Sequence, residues 1–343
     1  MLVTTWKLIL WPAVTTLLVT GGAGFIGSNF LRYWSDKYPH DHLVTLDALT
    51  YVASLDALPK GVNFVRGDIR NQELAEHLLR EYKVDVVVNF AAESHNSLAI
   101  LRPGEFFSTN VMGVQSLLEA CRKVGIGRFH QISTCEVYGD MDLDDPGAFT
   151  EDSPYLPRTP YNAAKAGGDH VVRAYHHTYD IPITITNCSN NYGPYQFPEK
   201  VIPLFVTNAL QGKRLPMYAS TRNRREWLHV QDHCRAIDQV LSDGRVGETY
   251  LVGSGVEADI ETIADLILTE LGLPASLKTI VPDRPSHDRR YLLDSTKLRT
   301  ELGWEPQISF AEGISETISW YRENELWWRP LLNKSPIEET NWR

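Results

Sequence analysis

The chain has 343 residues, 43% hydrophobic and 22% charged, with a formal net charge of −10 and a pI of ≈ 5.6. That composition fits a soluble globular enzyme with one large domain or two lobes, and the acidic balance argues against non-specific nucleic-acid binding. No stretch reaches the ~18 apolar residues of a membrane span, and Cys121, Cys135, Cys188 and Cys234 form no C-x-x-C pair, so no metal is expected and free thiols fit a cytoplasmic protein.

Residues 1–14 read as an N-terminal extension: the apolar run is short, is broken by Pro12, and no small-residue cleavage site follows. Thr16 to Thr20 (TLLVT) is a buried-strand candidate. It runs into GGAGFIG, where Gly21, Gly24 and Gly27 allow a tight turn, and Phe25 opens an amphipathic helix to about Tyr38. Strand, glycines and helix N-terminus together form a pyrophosphate cradle, with Phe25 and Ile26 inside it. A second strand, Leu43 to Leu46, ends at Asp47, whose carboxylate suits both ribose hydroxyls and repels a 2′-phosphate, which favours NAD over NADP. Asn63 to Val65 reads as a third strand, followed by Asp68, placed to meet the adenine amino group, and Ile69. Val84 to Phe90 is an apolar fourth strand ending in Ala91-Ala92-Glu93-Ser94-His95, small enough at its start for a cofactor to lie against backbone. A long helix is expected from Pro103 to Val124, carrying Thr109 and Asn110. Alternating strands and helices predict an α/β, Rossmann-like, doubly wound parallel sheet over residues 15–190, with a smaller α/β substrate lobe, interleaved with it, over 191–343.

The centre of the chain is Ser133 to Lys165. An apolar run, Arg128 to Ile132, delivers STCEVYGD to a strand's carboxyl end, where open parallel sheets bind ligands. Further on, Tyr161 and Lys165 stand at i and i+4 behind Pro160, on one helical face. A lysine ammonium there is expected to lower the phenol's pKa and make Tyr161 a base near neutral pH. Thr134 would hydrogen-bond the same hydroxyl, with Glu136 and Cys135 as further titratable groups.

TGGAGFIG, FAAESH, TNVMG, STCEVYGD and YNAAK resemble the extended short-chain dehydrogenase/reductase family, and NCSNNYGPYQFPEK, RREWLHVQDH, VPDRPSHDRRYLLD and ELGWEP narrow the resemblance to its dTDP-glucose 4,6-dehydratases. It spans residues 16 to 328. It implies a tightly held NAD, a nucleotide-sugar substrate between two lobes, and a homodimer packing the helices near 103–124 and 160–179. Tyr161, with Lys165 and Thr134, would deprotonate the sugar 4-hydroxyl; Glu136 would remove the C5 proton; an acid would help the 6-hydroxyl leave; hydride would return to C6. Ser94 and His95 would border the nicotinamide and sugar. Asn190, Glu199, Lys200, Pro216, Tyr218 and His287 are expected on the substrate, with Arg225 and Arg284 clamping its diphosphate.

Three segments depart from the family pattern, one of them Ser220-Thr221-Arg222-Asn223, where a glycine-containing turn is usual. Cys135 stands where Ser-Thr-Asp-Glu-Val-Tyr-Gly has its aspartate, the residue expected to protonate the leaving hydroxyl; a thiol titrates near ~8.5 rather than ~3.9. His95-Asn96-Ser97-Leu98-Ala99 stands where His-Val-Asp-Arg-Ser is usual. The residues leave open a 5,6-dehydratase that returns hydride to C4, a 5-epimerase, or an NAD-binding sensor without chemistry; a retained Glu136 argues against simple 4-epimerisation.

Overall fold

The structure is a computed structural model, and it describes residues 13–283 and 285–335. Most of the 1–14 extension lies outside the described residues.

The described residues form twelve strands, in chain order β1 Thr16–Thr20, β2 His42–Asp47, β3 Asn63–Arg66, β4 Val86–Asn89, β5 Arg128–Thr134, β6 Ile183–Cys188, β7 Asn190–Tyr192, β8 Leu215–Tyr218, β9 Arg224–His229, β10 Thr249–Val252, β11 Glu257–Asp259 and β12 Lys278–Val281. Seven form one sheet in the order β10-β6-β5-β4-β1-β2-β3, and every pair in it is parallel. The order reverses direction between β1 and β4, which opens a crevice at the strands' carboxyl ends.

Helices cover both faces of this sheet, as the period-2 alternation of a doubly buried strand demands. On β1, Leu18 packs toward Val44, Leu117 and Val172 on one face. Its neighbours Leu17 and Val19 pack toward Phe30, Trp34 and Ile237 on the other. The first eight helices in chain order are α1 Phe25–Lys37, α2 Gln72–Glu81, α3 Asn96–Leu101, α4 Pro103–Phe107, α5 Val114–Val124, α6 Pro160–Tyr179, α7 Val201–Leu210, which packs in the smaller lobe, and α8 Val230–Asp243. The helix expected over 103–124 is not uniform: Ser108–Gly113 is a π-helical segment between α4 and α5. Such a segment inserts a residue into the i→i−4 ladder, a choice made by packing rather than by propensity.

The second half crosses back to the large sheet. β10 pairs with β6, and α8 lies against α1, where the Asp238 carboxylate accepts from Tyr33 at 2.6 Å and Tyr38 at 3.0 Å and pairs with Lys37. What remains forms a smaller lobe: the β11-β9-β7 and β12-β8 sheets around a core of Tyr192, Phe205, Trp227, Ile267, Ile318 and Trp328. No helix among the described residues is long and apolar enough to cross a membrane, and those residues contain no His/Cys/Asp/Glu group suited to a metal ion.

Candidate active site

One cleft of ≈ 510 Å³ runs from the glycine turn, past the ends of β4 and β5, to the smaller lobe. Its first end is made of backbone. Gly21 has φ +70°, and a Cβ there would lie 2.7 Å from the Ala91 nitrogen. A Cβ on Gly27 would lie 2.4 Å from the Gly21 oxygen. Both contacts are too short for any side chain, so turn, β4 loop and α1 approach one another only because these residues are glycine. Gly24 is the N-cap of α1 and has no side-chain cap, so the helix's first N–H groups face the cleft with the positive end of its dipole. Asp47 closes this end: its carboxylate accepts from Ala23 N at 2.9 Å and Leu49 N at 2.8 Å, and burial raises its pKa. Phe25, Ile26, Asp68, Ile69, Ala91, Ala92 and Ser94 line the same walls. The Asp68 carboxylate is held by Arg70 at 2.6 Å, which lowers its pKa.

Asn110 does not belong to this wall. Its amide accepts from Glu93 N and donates to Glu93 O, both at 2.9 Å, and it sits behind the cleft at 2% exposure. Both ends of the amide are spent on folding the β4 loop, so its expected contact with the cofactor becomes a clamp on the loop that the cofactor's place borders. The π-helical segment, which the sequence did not announce, is what aims it there.

Beyond the glycine end, Thr134, Glu136, Tyr161 and Lys165 converge on the cleft. β5 ends at Thr134, whose hydroxyl accepts from Glu136 N at 3.3 Å and caps a single 3₁₀ turn, Cys135–Tyr138. A 3₁₀ turn sets successive side chains about 120° apart. Glu136 facing the cleft therefore sends its neighbours inward. Cys135 is fully buried with Val137, Tyr138, Ala166, Tyr291 and Leu293 and is not on the cleft wall. Burial, with the Glu136 charge adding to it, raises its thiol well above the usual range. The expectation that Cys135 offers a proton to a substrate hydroxyl is corrected by this orientation.

Tyr161 and Lys165 do share a face of α6, whose N-cap Thr159 accepts from Asn162 N. The expected electrostatic relation is reversed. Burial, then the Glu136 charge, raise the Tyr161 phenol well above its usual value, and a hydrogen bond with Thr134 offsets little of this. Lys165 donates to Ile132 O at 2.6 Å, and burial lowers its pKa. Desolvation, reinforced by the Glu136 charge, thus sets the direction at the phenol.

The far end belongs to the smaller lobe. Asn190, Glu199, Lys200, Pro216, Tyr218 and His287 all line it, as does His95 from the β4 loop. The buried Glu199 carboxylate accepts from Tyr51 at 2.9 Å, lies 3.5 Å from His95 Nε2 and 3.8 Å from Lys200. Lys200 also donates to Ser94 O at 3.3 Å. Arg225 reaches the wall, but its terminal nitrogens donate to the Arg224, Arg289 and Asp288 carbonyls, and its guanidinium stacks 4.7 Å from the Tyr291 ring centre. It is a buried strut and not the open fork expected for a diphosphate, because its partners come from a distant segment that the RRE motif does not reveal. Arg284 lies outside the described residues.

Two residues on the wall and one behind it escaped the sequence reading. Asn96 donates to Glu136 Oε2 at 3.0 Å. Tyr291 donates to Asn190 Oδ1 at 2.8 Å. Tyr51 holds Glu199. Tyr291 stands in the HDRRY segment and Asn96 in the departing HNSLA segment, so a signal existed for both; Tyr51 follows no motif.

A family model described as GDP-mannose 4,6 dehydratase matches residues 18–317. A dTDP-glucose 4,6-dehydratase of Streptomyces niveus is 48% identical over 94% of this chain and 97% of its own, and one from Mycobacterium tuberculosis is 48% identical over 92% and 96%. The crystal structure of DesIV, a dTDP-glucose 4,6-dehydratase from Streptomyces venezuelae described with NAD bound, superposes with a TM-score of 0.89 at 48% identity, covering 92% of this chain and all of that one. A UDP-glucose 4-epimerase of Thermotoga maritima shares the fold at 26% identity and a TM-score of 0.86. By its match over the parallel-sheet lobe and most of the smaller lobe, the chain belongs to the GDP-mannose 4,6-dehydratase family of the extended short-chain dehydrogenases/reductases.

Proposed function

We propose that the protein is an NAD-dependent dTDP-glucose 4,6-dehydratase, a hydro-lyase. The observation that carries this reading is the convergence of Thr134, Glu136, Tyr161 and Lys165 on one cleft that joins a glycine cradle to the smaller lobe. The cradle fits a dinucleotide: a Cβ at Gly21 or Gly27 would strike backbone, and Asp47 stands at the end of β2 where a ribose belongs. The residues that would hold NAD are Gly21, Gly24, Phe25, Ile26, Gly27, Asp47, Asp68, Ile69, Ala91, Ala92, Ser94, Tyr161 and Lys165. Bound there, NAD would supply the hydride-acceptor and hydride-donor chemistry of one turnover.

The chain's residues carry the protons. Acting as its phenolate, which the positive charges of Lys165 and of an oxidised nicotinamide bound in the cleft would favour against the burial that raises the phenol, Tyr161, aligned by Thr134, would receive the proton of the 4-hydroxyl as C4 becomes a ketone. The ketone acidifies the C5 hydrogen, and Glu136 takes that proton. Since Cys135 is turned away, the Glu136 carboxylic acid so formed is the group in position to pass its proton to the departing 6-hydroxyl. One proton moves from C5 to oxygen, the C6–O bond breaks and water leaves, so the step balances without a separate acid. Asn190, Glu199, Lys200, Pro216, Tyr218 and His287 are the residues we assign to the nucleotide-sugar, with Tyr218 offering an aromatic face to the base.

The test is product analysis by NMR after turnover of dTDP-glucose in deuterated water. A C6 methyl group with deuterium at C5 is expected. An exocyclic alkene without a methyl would replace this reading with 5,6-elimination, and unchanged substrate would remove it. We also infer a cytoplasmic homodimer through α4, the π-helical segment after it, α5 and α6, where Phe107, Met112 and Tyr179 are 42%, 58% and 49% exposed; sedimentation of a monomer at micromolar concentration would overturn it.

A further inference from the structure

Asn96 lies between the two groups that exchange protons with the sugar. Its amide nitrogen donates to Glu136 Oε2 at 3.0 Å, and its amide oxygen accepts from the Thr159 hydroxyl at 3.2 Å. The same hydroxyl accepts from Asn162 N at 3.2 Å as the N-cap of α6. Tyr161 is the second residue of that helix. A relay of side-chain contacts thus runs from the Glu136 carboxylate through Asn96 to the point at which the helix bearing Tyr161 begins.

Glu136 itself rides on one 3₁₀ turn, a short element with poor intrinsic hydrogen-bond geometry. Its carboxylate has one side-chain hydrogen bond among the described residues, from the Asn96 amide. Asn96 lines the cleft together with Glu136, Thr134 and Tyr161, and both ends of its amide are used. The aspartate of the family pattern is a buried cysteine at this site, so two proton transfers, from C5 and to the 6-hydroxyl, fall on Glu136. A carboxylate serving two atoms of one sugar must be held in one place.

We propose that Asn96 is a positioning residue for this chain's elimination step, fixing Glu136 relative to Tyr161 through Thr159. It does not touch the reacting atoms. The inference rests on the 4,6-dehydratase reading. It sets Asn96 apart from a packing residue by predicting which step suffers: C4 oxidation by Tyr161 proceeds, and removal of the C5 proton slows.

Two variants test it. Asn96→Val removes both hydrogen bonds. Asn96→Asp keeps the shape and the contact with Thr159, and sets a second carboxylate against Glu136. Since a misplacement of about 1 Å costs about 10²-fold, kcat should fall about tenfold to hundredfold in both, with KM within about threefold of wild type. Reduced nicotinamide absorbance should build up on the enzyme during turnover, and C5 deuterium incorporation should slow in step with kcat. A kcat within about twofold of wild type in both variants, or a loss carried by KM without that absorbance, overturns the proposal. If wild-type enzyme itself leaves dTDP-glucose unchanged, the dehydratase reading fails. Crystal structures of wild type and Asn96→Val then still decide the positioning claim: an unmoved Glu136 side chain refutes it, and a displaced one upholds it.

Discussion

The two ends of the cleft are built from different materials. At the dinucleotide end the chain presents backbone: Gly21 and Gly27 let loop, strand and helix come within distances no side chain permits, and Asp47 is locked by two backbone N–H groups. At the sugar end it presents side chains, each held by another from a different segment: Glu136 by Asn96, Glu199 by Tyr51, Asn190 by Tyr291. Backbone geometry is a local property of sequence. Side-chain placement is a tertiary one. The first end should therefore fail as a unit when it is damaged, losing cofactor and stability together, whereas the second should fail step by step.

The largest expected effect is on the step that starts the reaction. Tyr161→Phe should lower kcat by about 10³–10⁴-fold, the upper part of the range for a lost proton-transfer group, while the protein still carries stoichiometric NAD. Loss of the cofactor together with activity would merge the two ends and break the comparison. Glu136→Gln comes next, with kcat down roughly 10²–10³-fold and reduced nicotinamide trapped on the enzyme, because C4 can be oxidised but C5 keeps its proton. An equal loss with no reduced nicotinamide would place Glu136 before hydride transfer.

Gly27→Ala probes the opposite end. Its Cβ would lie 2.4 Å from the Gly21 oxygen, and relief by backbone movement should cost about 1–3 kcal/mol. Bound NAD should drop out and the unfolding midpoint should fall together, measured on one preparation by absorbance after acid release and by calorimetry. Retention of NAD at a lowered midpoint would show that the turn tolerates a shift and that the cradle is less exacting than its distances.

What the sequence made legible follows the same division. The alternation on β1, the glycine spacing, the aspartate ending β2 and the i, i+4 pair on α6 are rules of local geometry, and the structure shows each in place. Asn110, Cys135 and Arg225 were misplaced for a common reason. Each was read from a motif that reaches the cleft, but its direction depends on something non-local: a π-helical segment, the phase of a 3₁₀ turn, and carbonyls from residues 288 and 289. The Tyr161 phenol was misread because proximity of a lysine is visible in sequence and the depth of burial is not.

The smallest expected effect is the one that most sharpens the contrast, because it separates residues at the ends of two neighbouring strands. All four cysteines are buried, but only Cys188 lines the cleft; its thiol is pushed up to about 12 by burial, and that of Cys135 well above its ordinary value. The thiolate is the attacking species, so a raised pKa leaves little of it at neutral pH and makes both slow. Access then decides the order. Iodoacetamide followed by peptide mapping should label Cys188 first, more slowly when dTDP-glucose is present, and should reach Cys135 only as the protein unfolds. Cys135→Ala should keep kcat within about threefold, at a stability cost of roughly 0.5–3 kcal/mol typical of a core substitution. A drop of about 10² or more in kcat, or substrate protection of Cys135 from the reagent, would mean that the 3₁₀ turn rotates in the working enzyme to bring the thiol to the sugar, and the sugar end would then owe its chemistry to motion as well as to placement.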